Sequence, residues 1–238
     1  MDNYANEKGY LAIFKFLEGV IVLPGSVVVG VSPIDHKLSI NMKEGPSVVA
    51  DHVVVAVGLT PNVDLAQKAG LEIDPLLGGI IVNAELETRS DIFAAGDCTS
   101  YHDIALGRRR VEHYDHAVQS GKTAGLNMIS GDKKPYTHQS MFWSNLGPNV
   151  SYEAVGILNS KSPTVSIWSK TLGKPESQKD EKHDKGAVYY LDDEKRVTGV
   201  LLWNLHDHSN LTKAREIIGK RQKHDAKDLA TLIDVNQN

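Results

Sequence analysis

Short, mostly β-branched apolar runs at residues 20–23, 27–31, 38–42 and 48–57 alternate with Pro24-Gly25, Ser32-Pro33 and Glu44-Gly45-Pro46. Turn residues at that spacing predict a β-meander. The last run, His52-Val-Val-Val-Ala-Val-Gly58, is almost wholly apolar, which predicts a strand buried on both faces. Ahead of the meander, residues 3–18 predict a short helix with Tyr10, Leu11, Ile13, Phe14 and Leu17 on its apolar side.

After Gly58 the period changes. Residues 62–69 predict a short helix stopped by Gly70, and 80–82 and 92–95 predict two short strands, the second ending at Gly96-Asp97. A longer helix is predicted from Val111 to about Ile129, with the small residues Ala117, Gly121, Ala124 and Gly125 along it. Each helical Gly costs roughly 1 kcal/mol against Ala, so these residues imply close packing on a sheet or a ligand. Residues 135–238 hold apolar runs at 141–143, 154–158, 164–168, 187–191 and 197–203, then helical patterns at 211–220 and 227–233. Strands first and helices last predict an α+β module. Between its strands, residues 170–185 are rich in Lys, Asp, Glu and Ser, which predicts a mobile loop. No internal repeat is visible.

Composition narrows the chemistry. The chain has 238 residues, with 26 Lys+Arg against 30 Asp+Glu, a formal net charge of −4 and one Cys. This length suits one large or two small globular domains. An acidic balance argues against binding nucleic acid by bulk phosphate neutralisation, and makes Arg108–Arg110 with Lys133-Lys134 a solvated face. A single cysteine excludes an intramolecular disulfide, a Cys-x-x-Cys pair and a four-cysteine metal site. No apolar run approaches the roughly 20 residues that span a bilayer, and the N-terminus shows no targeting pattern.

Two segments carry chemistry: Val53-Val-Val-Ala-Val-Gly58-Leu-Thr-Pro61-Asn62 and Thr88-Arg-Ser-Asp-Ile-Phe-Ala-Ala95-Gly96-Asp97. A buried strand ending in Gly-Asp places a carboxylate at the carboxyl edge of a sheet, where open α/β folds bind ligands. Gly allows close approach, the carboxylate accepts bonds from sugar-like hydroxyls, and the helix that follows offers unpaired N–H groups. Taken alone, Ala-Gly-Asp also reads as a plain turn.

Together, these segments resemble the two downstream fingerprints of the FAD- and NAD(P)-dependent pyridine-nucleotide oxidoreductases, matched here at Gly58 and Asp97. A denser resemblance, to the mitochondrial apoptosis-inducing-factor branch of that family, is carried by three further segments. They are Leu106-Gly-Arg-Arg-Arg-Val-Glu112-His113-Tyr-Asp-His-Ala117, His138-Gln-Ser-Met-Phe-Trp143-Ser-Asn-Leu-Gly-Pro148 and Tyr152-Glu153-Ala. The resemblance implies an α/β fold. Residues 1–59 would be the end of an NAD-binding domain and 60–140 the end of an FAD-binding domain, both Rossmann-like and partial, with a C-terminal dimerisation-type α+β domain at 141–238. It implies FAD and NAD(P)H as cofactors, with hydride transfer from NADH to FAD. Asp97 would hold the ribityl chain, and Glu112, His113 and Trp143 would lie on the FAD side. Gly58, Glu112, Trp143 and Glu153 would lie on the NAD side, with no residue assigned to catalysis itself. The resemblance also implies a homodimer formed on cofactor binding, with contacts at Glu72 and Arg89. It further implies protein partners in the mitochondrion, cell-death signalling, and a release to nucleus or cytosol. Asp115, a nearby acid on the same helix, has no ligand role in this reading.

The sequence also departs from that family. It has no Gly-x-Gly-x-x-Gly, the turn that sets a pyrophosphate on a helix N-terminus. A second ring-adjacent His of the family is Tyr114 here, and a dimer Arg is Ile81. The rival expectation is therefore a non-enzymatic, pro-apoptotic interaction module without bound flavin. Plain structural roles are open for three residues: core packing for Trp143, a helix-start hydrogen bond for His113, and a solvated first-turn acid at Glu112. His113-x-x-His116 lacks a third metal ligand, no Gly-x-Ser-x-Gly elbow occurs, and Cys98 reads as buried packing.

Overall fold

The computed structural model describes residues 19–147, 150–169, 185–205 and 207–236. The helix expected over 3–18 and nearly all of the charged loop expected at 170–185 lie outside the described residues. The chain divides into two compact units, Met1–Leu59 and Thr60–Asn238.

In the first unit, β1 (Val28–Ile34), β2 (Lys37–Met42) and β3 (Val48–Ala50) form an antiparallel meander in the order β1-β2-β3. A tight turn at Asp35, in the left-handed region at φ 52°, joins β1 to β2. Two expectations fail here. Residues 20–23 form no strand, and the apolar run ends its pairing at Ala50, so the strand expected over 52–58 is irregular. Nor is that run buried: Val54 is 91% and Val57 87% exposed. A strand covered on both faces needs a hydrogen-bonded neighbour on each side and a layer above and below. Among the described residues, nothing pairs with it.

The second unit begins with α1 (Asp64–Lys68), closed by Gly70 at φ 69°. Strands β4 (Ile80–Ile81), β7 (Thr99–Asp103) and β8 (Gly107–Arg109) form a three-stranded sheet, β4 parallel to β7 and β7 antiparallel to β8. A hairpin pairs β5 (Glu87–Arg89) with β6 (Ile92–Phe93). No apolar alternation marks β5, β7 or β8 along the chain. Strand β7 reads Thr-Ser-Tyr-His-Asp, yet four of its five residues are buried. Thr99 and Ser100 find partners within the protein: Asp74 Oδ2 accepts from Ser100 Oγ at 2.6 Å and Thr99 Oγ1 donates to Gly96 O at 2.7 Å.

Helix α2 (Tyr114–Ile129) packs Ala124 into a core of Val82, Leu86, Tyr101, Val111 and Tyr136. It starts three residues later than expected, because His113 is extended (φ −113°, ψ 140°). Of its small residues, Ala117 meets the Gly96 turn, but Gly121 and Gly125 face open space. The close packing expected at those two glycines is absent among the described residues.

The C-terminal module is a five-stranded antiparallel sheet in the order β11-β12-β13-β10-β9. Its strands are β9 (Met141–Asn145), β10 (Ser151–Gly156), β11 (Thr164–Trp168), β12 (Gly186–Leu191) and β13 (Val197–Trp203). Helix α3 (His208–Lys220) lays Leu211, Ala214, Ile217 and Ile218 on the sheet, a stripe at helical spacing. Asp207 caps it and Arg221 ends it in the left-handed conformation. Helix α4 (Ala226–Leu232) begins with a capping box between Asp225 and Asp228. Gly156 and Gly199 are directly opposed, and a Cβ on Gly156 would lie 2.2 Å from Thr198 O, so the end of β10 requires Gly there.

A buried ion pair joins the β7–β8 hairpin to this sheet. Arg109 Nη1 lies 3.3 Å from Asp103 Oδ2, while Arg109 Nη2 donates to Gly156 O at 2.9 Å. Gln139 Nε2 donates to both Asp103 oxygens, at 2.6 and 2.7 Å. Asp103 Oδ1 also accepts from the backbone N–H groups of Ala105 and Leu106.

Candidate functional site

The Gly96 turn and the start of α2 form the first half of the site. Strand β6 has only two residues, is half open to solvent and is not the buried strand expected before Gly96-Asp97. Asp97 instead sits in a 3-10 turn, Gly96–Cys98, with Gly96 at φ 76°. Ser120 Oγ of α2 accepts from Gly96 N at 2.9 Å and donates to His116 O at 2.6 Å, which fixes the turn to the helix. The half-buried Asp97 carboxylate makes no hydrogen bond or ion pair among the described residues. Its backbone oxygen accepts from Arg110 Nη1 at 3.3 Å.

Arg110 also donates to Leu77 O and pairs with Glu112 at 2.6 Å, so Glu112 is not a freely solvated acid. His113 is half-buried, its Nδ1 3.3 Å from Ser140 Oγ and its ring centroid 4.8 Å from that of Phe142. Burial, helped by the Arg109 guanidinium, holds its pKa below the usual imidazole range, with Asp115, Asp97 and Glu112 opposing. His113 is therefore a neutral ring at pH 7. Among the described residues no side chain caps α2, which leaves its first-turn N–H groups and the positive end of its dipole beside Glu112 and His113.

The second half lies on the C-terminal sheet. Trp143 and Glu153 are directly opposed on β9 and β10, so they share one face. Trp143 is 49% exposed, not plain core. Glu153 Oε2 is buried with no hydrogen-bond partner among the described residues. Tyr114 at the start of α2 meets Trp143 edge-on, ring centroids 6.2 Å apart at 88°. Phe142, which His113 touches, points to the other face of the same strand. Edge strand β9 thus stands between the His113 side and the Trp143–Glu153 side.

Sequence reasoning missed Asp115. Its Oδ2 lies 2.6 Å from His138 Nε2, accepts from Met141 N at 3.0 Å and lies 3.6 Å from Arg215 Nη2. Arg215 Nε also donates to Gln139 O at 2.9 Å. The expectation gave this acid no ligand role, and all of these contacts are with the protein itself. The only signal available was an acid in a first helical turn, which the helix dipole alone accounts for. His116 is fully buried, hydrogen-bonded to Tyr136 OH at 3.0 Å and stacked on Tyr101 at 4.7 Å. Burial pushes its pKa down to about 4.

Glu72, Ile81 and Arg89, distant in sequence, line one hollow of about 390 Å³ together with Asn83, Thr88 and Arg108. Arg89 Nη2 donates to Gly70 O at 3.1 Å. Gly58 belongs to the first unit, at φ 92° with nothing within 4 Å of where a Cβ would lie. Cys98 is half-buried, its thiol donating to Ala95 O at 3.4 Å, and burial pushes its pKa up. Among the described residues no group of three His, Cys, Asp or Glu could hold a metal ion, and no helix is long and apolar enough to cross a membrane.

Two family models match this chain. Pyridine nucleotide-disulphide oxidoreductase covers residues 8–121. Apoptosis-inducing factor, mitochondrion-associated, C-term covers 124–178 and 170–220. The chain is 39% identical to the putative apoptosis-inducing factor 1, mitochondrial, of Drosophila melanogaster, a match spanning 92% of this chain and 34% of that protein. It is 41% identical to apoptosis-inducing factor 1, mitochondrial, of Dictyostelium discoideum over 100% of this chain and 42% of that protein. Among solved structures, the covalent putidaredoxin reductase–putidaredoxin complex matches with a TM-score of 0.73 at 25% identity, over 94% of this chain and 50% of that one. The chain thus spans well under half the length of both curated relatives.

Proposed function

We propose, for a chain that belongs to the pyridine nucleotide-disulphide oxidoreductases and carries the apoptosis-inducing-factor C-terminal region, that it forms the ring-facing side of a flavin-dependent NAD(P)H oxidoreductase. Hydride would pass from NADH to FAD and electrons onward to an acceptor, in a mitochondrial setting like that in the relatives' names.

One observation carries this reading: a half-exposed indole directly opposite a carboxylate whose buried Oε2 lacks a donor. A nicotinamide nucleotide supplies what is missing, a flat ring for Trp143 and a hydroxyl or amide N–H for Glu153. The Asp97 carboxylate, unpaired among the described residues, suits the hydroxyls of a ribityl chain. Bound FAD would supply the two-electron acceptor. Around it, the open N-terminus of α2 would stabilise negative charge gained on reduction, and neutral His113 would add no compensating charge. Arg110 would hold Glu112 in place beside the ring. No Gly-x-Gly-x-x-Gly occurs in the chain, so pyrophosphate anchoring is not assigned to these residues.

Glu72, Ile81 and Arg89 share one hollow, which supports reading it as part of a homodimer face. Ile81 would contribute apolar contact in place of an ion pair. A second reading, a non-enzymatic interaction module for protein partners in cell death, is favoured by the missing Gly-rich turns and the exposed run at 54–57. Titration with FAD and NADH separates the two. The oxidoreductase reading expects NADH to quench Trp143 emission in the parent and not in Glu153→Ala. No response to either nucleotide favours the interaction module.

A further inference from the structure

We propose that Asp115 is a positioning residue for the nicotinamide side of the site, acting through Trp143. The inference rests on the reading of Trp143 and Glu153 given above.

A single carboxylate oxygen gathers three elements. From the first turn of α2, Oδ2 of Asp115 accepts from Met141 N, the first residue of β9, at 3.0 Å. It also meets His138 Nε2 at 2.6 Å, on the connector that leads into β9. The Arg215 guanidinium of α3 stands 3.6 Å away and, through Nε, also holds Gln139 O at 2.9 Å. Trp143 lies two residues beyond Met141, on the same face of the strand. His113 and Glu112 lie two and three residues before Asp115.

Fixing Met141 N to the helix start therefore sets where Trp143 stands relative to Tyr114, the ring it meets edge-on. β9 is an edge strand, paired among the described residues with β10 alone. On its outer side this hydrogen bond does the work a neighbouring strand would otherwise do. Asp115 touches neither ring nor nucleotide in the proposed site, and its effect runs wholly through the strand it holds.

The test uses the full chain labelled with 5-fluorotryptophan, which gives three fluorine resonances, for Trp143, Trp168 and Trp203. Trp143→Phe assigns the first of them. Asp115→Ala is expected to shift and broaden the Trp143 line while leaving those of Trp168 and Trp203 in place. Asp115→Asn keeps an acceptor oxygen for Met141 N and is expected to return the Trp143 line to its parental position. An unmoved Trp143 line in Asp115→Ala overturns the proposal. So does joint displacement of all three lines in both variants, which marks a general structural role. Should Asp115→Ala fail to fold, Arg215→Met removes the cation that orients the carboxylate and is expected to broaden the Trp143 line alone. NADH is then titrated against the parent and Asp115→Asn. Half-saturation within about twofold in the two proteins supports the positioning role. A parental Trp143 line that ignores NADH overturns the nicotinamide reading, while the ligand-free spectra still decide whether Asp115 positions the strand.

Discussion

Glu153 Oε2, buried and without a hydrogen-bond partner among the described residues, lies directly across the β9–β10 ladder from the half-exposed ring of Trp143. A carboxylate in that condition destabilises the ligand-free protein, because its desolvation is uncompensated. Glu153→Met should therefore raise the stability of the isolated chain, by about 1–2 kcal/mol in urea unfolding, and abolish the NADH response. Loss of stability in Glu153→Met would mean that the carboxylate is already satisfied within the protein.

Gly121 and Gly125 sit inside α2 with open space where a Cβ would lie. Gly121→Ala and Gly125→Ala should each stabilise the chain by about 0.5–1 kcal/mol, read from the urea midpoint at constant m. A destabilising result would show that another surface packs closely on this face of the helix.

The buried pair Asp103–Arg109 lies within the β7–β8 hairpin, with Gln139 bonded to Asp103 and the Gly156 carbonyl of the C-terminal sheet bonded to Arg109. Removing one partner leaves the other charged and buried. Asp103→Ala should cost about 3–5 kcal/mol, measured by chemical unfolding. A cost below about 1 kcal/mol would place the pair in solvent contact.

The C-terminal module was legible because its patterns are local. Apolar runs of three to seven residues marked β9 to β13, and the helical pattern at 211–220 marked α3. What failed was set by partners the pattern cannot name. Val54 to Val57 read as a doubly buried strand, yet burial depends on neighbours that no described residue supplies. Strand β7 was invisible for the opposite reason, since Thr99, Ser100 and Asp103 are polar residues buried through hydrogen bonds to Gly96, Asp74 and Gln139. At the site, resemblance pointed to Trp143 and Glu153 separately, and only the register of β9 on β10 shows them face to face. The contacts of Asp115 were not legible because its three partners lie 23 to 100 residues away.

His116 gives the chain an acid-side instability. Burial lowers its folded pKa to about 4 from the usual 6.5. Between those values the unfolded chain binds a proton that the folded chain does not, so stability rises with pH across that window. The contribution is complete above pH 6.5 and is lost as pH falls towards 4, roughly 3 kcal/mol in all. His116→Phe, which keeps a ring against Tyr101, should flatten the dependence of the urea midpoint on pH between 6.5 and 4. An unchanged slope would assign the acid limb to other groups.

The central claim is that Asp97, Trp143 and Glu153 face a flavin and a nicotinamide. The most direct measurement co-expresses this chain with the portion of the Dictyostelium discoideum relative outside the matched region, then follows flavin content and stopped-flow reduction by NADH. The account predicts a yellow complex that NADH reduces. Asp97→Ala should lose flavin by about 1.5–3 kcal/mol of affinity, while Trp143→Ala and Glu153→Ala should keep flavin but need more NADH for the same rate. A complex without flavin, or Trp143→Ala and Glu153→Ala variants reduced with parental NADH dependence, would contradict it.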